Sequence, residues 1–258
     1  MPSFYEFIQL SYLCKTISML LFVMNLTIKS EDGKSINTID DWLKYSPPAQ
    51  KDAHWKDYRS AKELAKFTLS GNLRKKIDEI VASLLMDIPT EYVCIPESKT
   101  ELPWGDKGKR NHDLEMIGNN DLIICIEAKA DEPFDKSILN KRRLAEKNKD
   151  GGANMNLRLE GIINYLYPTG KPNNCEQLMY QLLSATAGTI KEAVKHNKNK
   201  AIALFLVFRS KKTNDALINE NNICFSEFCN SLGLSDEGGM IRRDGINCWI
   251  KKIIIDLH

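Results

Sequence analysis

The sequence predicts an α/β domain in which helices cover both faces of a mixed sheet. Helical and strand patterns alternate in the order helix, helix, strand, hairpin, helices, strand, helix, strand, which is typical of this class. The apolar run at 201–208 has no polar interruption, as expected of a strand deep in a sheet. A hairpin at 112–130 adds antiparallel pairing, so the predicted sheet is mixed.

Local patterns define the individual elements. Helical spacing of apolar residues marks five segments: 59–69, 73–88, 157–166, 175–196 and 214–231. Strand character marks five others: 91–96, 112–117, 121–130, 201–210 and 246–257. Pro89 ends the second helix, because proline cannot continue one. Gly118, Asn119 and Asn120 form the predicted hairpin turn, since these residue types tolerate positive φ.

Composition favours a reduced, cytoplasmic protein. The 258 residues carry a net charge of +2, which is too small to indicate a nucleic-acid partner without local basic clusters. The seven cysteines are odd in number and scattered, which favours free thiols over a disulfide framework. No Cys-x-x-Cys occurs and the four histidines are far apart, so a structural zinc site is not expected.

Residues 1–40 are predicted to be an N-terminal apolar segment and linker, and residues 41–258 a single domain. The apolar run at 16–26 is too short to cross a bilayer comfortably, and no membrane association is expected. Three interpretations of this run stay open: a docking helix, a translation start assigned upstream of the true one, and the core of a signal peptide. The last of these lacks the usual charged and cleavage-site flanks.

Glu127 and Lys129 stand at the end of the apolar strand that begins at Leu122. Side chains two residues apart on a strand share a face, so a carboxylate and an ammonium project side by side. Such a pair can serve divalent-metal chemistry, in which the carboxylate binds the cation and the lysine handles the attacking water. The alternative is an ordinary ion pair at a sheet edge.

A second acid near Glu127 favours the metal interpretation, and geometry selects Asp113. Asp121 lies on the same strand as Glu127 and is roughly 20 Å away at ~3.3 Å per residue. We expect Ile117 to pair with Asp121 across the turn. Asp113 then falls opposite Cys125, on the face of Glu127 and diagonal to it. A one-residue change of register sends Asp113 to the other face.

These residues resemble the core of the PD-(D/E)XK nuclease superfamily. Asp113 stands fourteen residues before the triplet Glu127-Ala128-Lys129, with a hairpin turn between, and His112 replaces the proline of the motif. The segments "HWKDYRSAKELAKF", "CIPESKTELPWG", "RNHDLEMIG", "IEAKADEPF" and "YQLLSATAGTIKEA" also resemble a bacterial family of restriction-endonuclease-like domains. The resemblance covers the chain from about Trp42 onward and implies a restriction-endonuclease-like core.

The resemblance also implies roles for these residues. Asp113 and Glu127 would bind Mg²⁺ (or Mn²⁺), with the backbone carbonyl of Ala128 as a third oxygen ligand. Lys129 would position the water for in-line attack on a phosphodiester. Whether one or two ions bind stays open.

Three further side chains have two interpretations each. Glu63 either joins the metal ligands or completes a capping box with Ser60 as the N-cap of the first core helix. Gln181, on one helix face with Gln177, either steadies the site or only faces the sheet. Glu97 either lines the site or is a solvated residue at a strand end.

The basic residues before Asp113, namely Lys107, Lys109 and Arg110, are expected to contact a phosphate backbone. The expected function is metal-dependent phosphodiester hydrolysis, as by a cytoplasmic DNA endonuclease in restriction or other defence. A non-catalytic nucleic-acid or protein interaction module with the nuclease fold is the alternative, and a hydrolase of nucleotides or other phosphoesters is a third interpretation. Strandedness, sequence specificity, DNA versus RNA, and oligomeric state, with a dimer among the options, stay open.

Overall fold

The computed structural model describes residues 25–105, 109–147 and 152–257. Its helices are α1 (Ile39–Tyr45), α2 (Lys51–His54), α3 (Ser60–Leu69), α4 (Asn72–Ser83), α5 (Ile138–Lys147), α6 (Gly152–Leu166), α7 (Tyr180–Lys195) and α8 (Asp215–Ser231). Its strands are β1 (Asn25–Ile28), β2 (Glu91–Thr100), β3 (Arg110–Gly118), β4 (Leu122–Lys129), β5 (Lys200–Arg209), β6 (Gly238–Arg243) and β7 (Ile246–Asp256).

One seven-stranded mixed sheet runs through the described part of the chain, in the order β1-β2-β3-β4-β5-β7-β6. β4, β5 and β7 are parallel neighbours, whereas β3 is antiparallel to both β2 and β4. Every side chain of β4 is buried, which explains the nearly continuous apolar run in its sequence. The predicted α/β class with a mixed sheet is confirmed.

Helices cover both faces of the sheet, as predicted. On one side, here called the α7 face, α5 to α8 pack against strand residues such as Ile123 and Phe205. On the other side, the α3 face, α1, α3 and α4 pack against residues such as Ile124 and Ile126. Alternation along β4 therefore sends odd-numbered side chains, including Glu127, to the α7 face.

The predicted domain boundary after residue 40 is wrong. β1 pairs in parallel with β2, and Ile28 and Ile36 are buried in the same core cluster as Trp42. Residue 40 lies inside α1. These contacts make residues 25–40 part of the domain core. Residues 1–24, with most of the apolar run, lie outside the described residues.

Two other local predictions also need correction. The hairpin strands end at Gly118 and resume at Leu122, so the turn is 119–121 and not 118–120. The predicted helix at 175–196 is a 3-10 turn at Cys175–Gln177 followed by α7, because the two residues between them are extended. Gln177 therefore does not share a helix with Gln181.

None of the helices in the described ranges is long and apolar enough to cross a membrane. The six described cysteines are free, as the scattered pattern predicted.

Candidate active site

The register of the β3–β4 hairpin differs from the predicted one by two residues. Glu115, not Asp113, lies opposite Cys125. The predicted pairing is wrong because the turn lies one residue further along the chain. A two-residue shift leaves each side chain on its face, and Asp113, one residue beyond the last regular pair, comes level with Glu127 by extension of this register.

The two strands part at Asp113. Their regular pairing ends with Leu114 opposite Ile126. Beyond that point Asp113 Oδ2 accepts a hydrogen bond from the backbone N–H of Ala128 at 2.6 Å. The carboxylate thus satisfies a main-chain donor that the ladder leaves free. The role predicted for the Ala128 carbonyl, as an oxygen ligand of a bound ion, stays a prediction.

The side chains of β3 also switch from one face of the sheet to the other near Asp113. Leu114 packs in the core cluster of the α3 face. On a regular strand His112 and Arg110 would lie on the same face as Leu114. They instead lie against Gly188 of α7, on the opposite face. The alternation of a regular strand therefore breaks at Asp113, and this break carries Arg110 to the same side as Glu127.

Glu127 is surrounded by donors. Its side chain is only 3% exposed and accepts hydrogen bonds from Arg110, from Gln181, and from Lys129 Nζ at 3.0 Å. Burial alone would raise the pKa of Glu127, but the charges of Arg110 and Lys129 outweigh it, so the pKa is lowered. Burial alone would lower the pKa of Lys129, but the negative charges of Glu127 and Asp113 outweigh it and raise the pKa. At neutral pH the pair is a carboxylate and an ammonium.

Two further carboxyl groups near Glu127, those of Asp113 and Glu97, have raised rather than lowered pKa values. Burial raises the pKa of Asp113 well above its ordinary value, and the charge of Glu127 adds to the effect. Burial and the charge of Glu127 also raise the pKa of Glu97 to about 7, although Asn111 donates a hydrogen bond to its carboxylate. Both side chains are partly exposed. The three carboxylates therefore repel one another at the edge of the site.

This donor set fits a divalent cation of the Mg²⁺ type. Carboxylate oxygens are the ligands that hard cations prefer. The pKa values of Asp113 and Glu97 are raised because burial, and then the charge of Glu127, disfavours their ionised forms, and a bound cation would offset this by stabilising the carboxylates. A cavity of about 350 Å³ adjoins Glu97 and is also lined by Glu31 and Lys99.

Glu63 is buried on α3, but its contacts lie outside this cluster. Its carboxylate accepts a hydrogen bond from the backbone N–H of Tyr58 at 2.8 Å. The predicted capping box is wrong, because the N-cap is Arg59 and the Ser60 hydroxyl donates instead to Glu132 at 2.6 Å. Glu63 is therefore a buried acid near the start of α3 that holds the backbone of Tyr58, and its predicted role as a metal ligand stays a prediction.

The predicted basic residues lie in different environments. Lys107 is outside the described residues. Lys109 is half exposed and pairs with Glu101 at 3.1 Å. The side chain of Arg110 is 11% exposed and is paired with Glu127, so it lies inside the cluster and not on a solvent-facing basic surface.

The sequence singled out Glu97 and Arg110 as candidates but did not indicate Asn111, nor the contact of Arg110 with Glu127. Glu97 adopts a φ of 53°, a left-handed conformation that is uncommon for glutamate and that no local pattern predicts. One signal was available: the four polar residues Arg110–Asp113 interrupt the alternation expected of a half-buried strand.

His112, at the position of the motif proline, is enclosed behind the cluster. It is wholly buried, and neither ring nitrogen has a hydrogen-bond partner among the described residues. Burial lowers the pKa of His112 to about 3, and the charge of Arg110 adds to this, so the imidazole is neutral. Gly188 makes room for the ring, since a Cβ there would lie 2.9 Å from His112 Nε2.

Comparisons with known proteins return one family. The model of a family described as Domain of unknown function (DUF6946) matches residues 35–255, which is most of the chain. Neither the curated proteins nor the solved structures gave a significant match.

Proposed function

The chain belongs to the family described as Domain of unknown function (DUF6946), and we propose that it is a Mg²⁺- or Mn²⁺-dependent phosphodiester hydrolase that cuts DNA. The observation that carries the proposal is the charge distribution around Glu127. Glu97 and Asp113 keep raised pKa values beside a buried, ionised Glu127 and the Lys129 ammonium. Carboxylates that repel one another beside a lysine are typical of sites that bind a divalent cation and a phosphate.

Asp113 and Glu127, with Glu97, are the residues that would hold the ion. Bound there, Mg²⁺ or Mn²⁺ supplies polarisation of a phosphate oxygen and activation of a water molecule. Lys129 is an ammonium at neutral pH, so it orients the water or offsets phosphate charge and does not act as the base.

DNA is the proposed substrate on two grounds. The motif formed by Asp113, Glu127 and Lys129 resembles that of the PD-(D/E)XK nucleases. The order of the β3–β4 hairpin and the later helix α7 also resembles the order of elements in the core of those nucleases. A groove of about 730 Å³ beside the start of β3 is lined by four lysines and two glutamates: Lys99, Lys109, Lys191, Lys195, Glu101 and Glu192. A phosphate backbone would compete with the acidic partners of these lysines. As part of the proposal we place the protein in the cytoplasm, where free thiols stay reduced.

Plasmid nicking by the purified full chain tests the proposal. With Mg²⁺ or Mn²⁺ we expect nicked or linear product. Lys129→Met should reduce the nicking rate by about 100-fold or more, which is the usual effect of removing one group that stabilises the charge developing in the transition state. Lys76→Met, at an exposed lysine of α4, should keep full activity. Activity that survives in both Asp113→Ala and Glu127→Ala contradicts the proposal. A small phosphodiester and nucleotides assayed in parallel distinguish a nuclease from a general phosphoesterase.

One observation favours the alternative of a non-catalytic interaction module. Arg110, Lys129 and Gln181 together already satisfy Glu127, so the strand acid needs no cation for charge balance. A binding-only domain would retain DNA or a protein partner without cleaving DNA. It would also show no Mn²⁺ affinity that depends on Asp113 and Glu127, which equilibrium dialysis against both variants measures.

A further inference from the structure

A second cluster of ionisable side chains lies on the α7 face, away from Glu127. Glu115 of β3 and Glu192 of α7 approach His196, which follows the end of α7. His196 Nε2 is 3.0 Å from Glu115 Oε1 and 3.4 Å from Glu192 Oε2. One ligand atom from each residue can be chosen so that all three lie within 4.8 Å of one another.

The polar atoms of this cluster are not matched by hydrogen bonds. The side chains of Glu115 and Glu192 are 1% and 0% exposed. Even so, Glu115 Oε1, Glu192 Oε1 and His196 Nε2 have no hydrogen-bond partner of normal geometry in the described part of the chain. The imidazole lies at ion-pair distance from both carboxylates, which raise the pKa of His196 to about 9, so a metal ion bound there would replace the proton of the imidazole. Buried carboxylate oxygens without a donor are costly, and a shared cation would satisfy them together.

Each of the two acids has one carboxylate oxygen that accepts a hydrogen bond from a neighbouring side chain. Ser98 donates a hydrogen bond to Glu115 Oε2, and Lys195 Nζ donates to Glu192 Oε2 at 2.8 Å. Such partners fix the orientation of a carboxylate. The contact with Ser98 leaves Glu115 Oε1 facing His196, whereas the Glu192 oxygen nearest to His196 is Oε2, which Lys195 also contacts. Glu192 also lines the lysine-rich groove, which gives an ion a route from solvent.

We propose that Glu115, Glu192 and His196 form a binding site for a divalent transition-metal ion, with Zn²⁺ as the preferred ion. An imidazole nitrogen beside two carboxylate oxygens suits Zn²⁺, whereas Mg²⁺ and Ca²⁺ favour all-oxygen sites. The contacts at 3.0 and 3.4 Å match the spacing of neighbouring ligands around an ion bound at about 2.1 Å. The ion would tie the end of α7 to β3 in the middle of the sheet.

This site is separate from the one proposed for catalysis. Glu192 is eleven residues after Gln181 on α7, which places it about 16 Å further along the helix. His196 also lies outside the segment from Asp113 to Lys129 that carries the nuclease-like motif. The zinc site therefore does not depend on the proposed nuclease activity.

Zinc binding by the chelator-stripped full chain tests the proposal. Isothermal titration with ZnCl₂, in buffer that holds a large excess of Mg²⁺ to occupy the carboxylate site around Glu127, should give one zinc ion per chain for the wild type. Glu192→Gln and His196→Gln should each weaken binding by more than the roughly 10–100-fold that loss of a residue behind a metal ligand costs. His54→Gln, at an exposed histidine, and Asp113→Asn, at the other site, should leave zinc affinity unchanged. Circular dichroism checks that each variant is folded.

Two results would overturn the proposal. One is the absence of zinc binding by the folded wild type, in which case the cluster is an ion-paired triad with His196 as the cation. The other is zinc binding that survives in Glu192→Gln and His196→Gln, or that is lost in Asp113→Asn. Cobalt substitution in the wild type needs no variant, because a nitrogen-containing site of low coordination number gives visible absorption that an exposed carboxylate site does not.

Discussion

Replacing Glu97 by glutamine should stabilise the protein at alkaline pH and reduce its activity. The carboxylate of Glu97 is partly buried and faces the negative charge of Glu127. Glutamine has nearly the same shape, and its carbonyl oxygen can still accept the hydrogen bond from Asn111. The substitution therefore removes the charge while keeping the packing and the hydrogen bond.

The size and sign of the effect follow from the pKa. Burial, then the charge of Glu127, raises the pKa of Glu97 from the ordinary 4.5 to about 7. Between these values the folded state holds a proton that the unfolded state has lost, so stability falls as pH rises through this window and stays reduced above it. A difference of about 2.5 pH units at about 1.4 kcal/mol per unit gives roughly 3 kcal/mol, which we discount to about 2 because the side chain is partly exposed.

Urea unfolding at pH 4, 6 and 8 measures this effect. We expect Glu97→Gln to match the wild type at pH 4 and to exceed its free energy of unfolding by about 2 kcal/mol at pH 8. Glu91→Gln, at an exposed glutamate of the same strand, should match the wild type throughout. Nicking activity should fall in Glu97→Gln while stability rises, as is common for residues in a strained site. A Glu97→Gln curve parallel to the wild type across this pH range would refute the electrostatic reasoning.

Three further substitutions test neighbouring contacts. Glu127→Gln should lower the free energy of unfolding by about 3–5 kcal/mol, because it leaves the charge of Arg110 buried without its partner; chemical denaturation measures this, and an unchanged midpoint contradicts it. Asp113→Asn should have the opposite sign and raise stability at neutral pH, since a carboxylate with a raised pKa costs the folded state free energy when ionised; a thermal midpoint below that of the wild type contradicts it. Gly188→Ala should cost about 1–3 kcal/mol through its contact with His112, and adding His112→Ala should recover part of that loss in a double-mutant cycle; additive losses argue against the contact.

The sequence predicted the scaffold of the site because that scaffold rests on local rules. A run of apolar residues predicted β4, and period-two alternation placed Glu127 and Lys129 on one face. Distance along the strand removed Asp121, whose carboxylate instead accepts the backbone N–H of Asn199 at 2.7 Å. The error of two residues in the hairpin register did not matter for the site, since an even shift preserves the faces.

The remaining features could not be predicted, because they depend on a departure from strand geometry. Regular alternation would place Arg110 on the α3 face with Leu114, whereas the structure has it bonded to Glu127 on the α7 face. Glu97 has positive φ in the middle of β2, where the sequence offers no glycine or asparagine to suggest it. Side-chain contacts between distant elements, such as that of Glu115 with His196, have no local signature either.

The charge distribution around Glu127 favours a different pair of carboxylates for a cation than the resemblance implies. The resemblance to known nucleases pairs Asp113 with Glu127 as ligands. In the structure Glu127 is already neutralised by Arg110 and Lys129, and its pKa is lowered, whereas the carboxyls of Asp113 and Glu97 have raised pKa values and are partly exposed. A divalent cation therefore gains most electrostatic free energy on the side of Asp113 and Glu97. Glu127 would join the ion there only when Arg110 gives up its contact, so the proposed mechanism requires the Arg110–Glu127 pair to open.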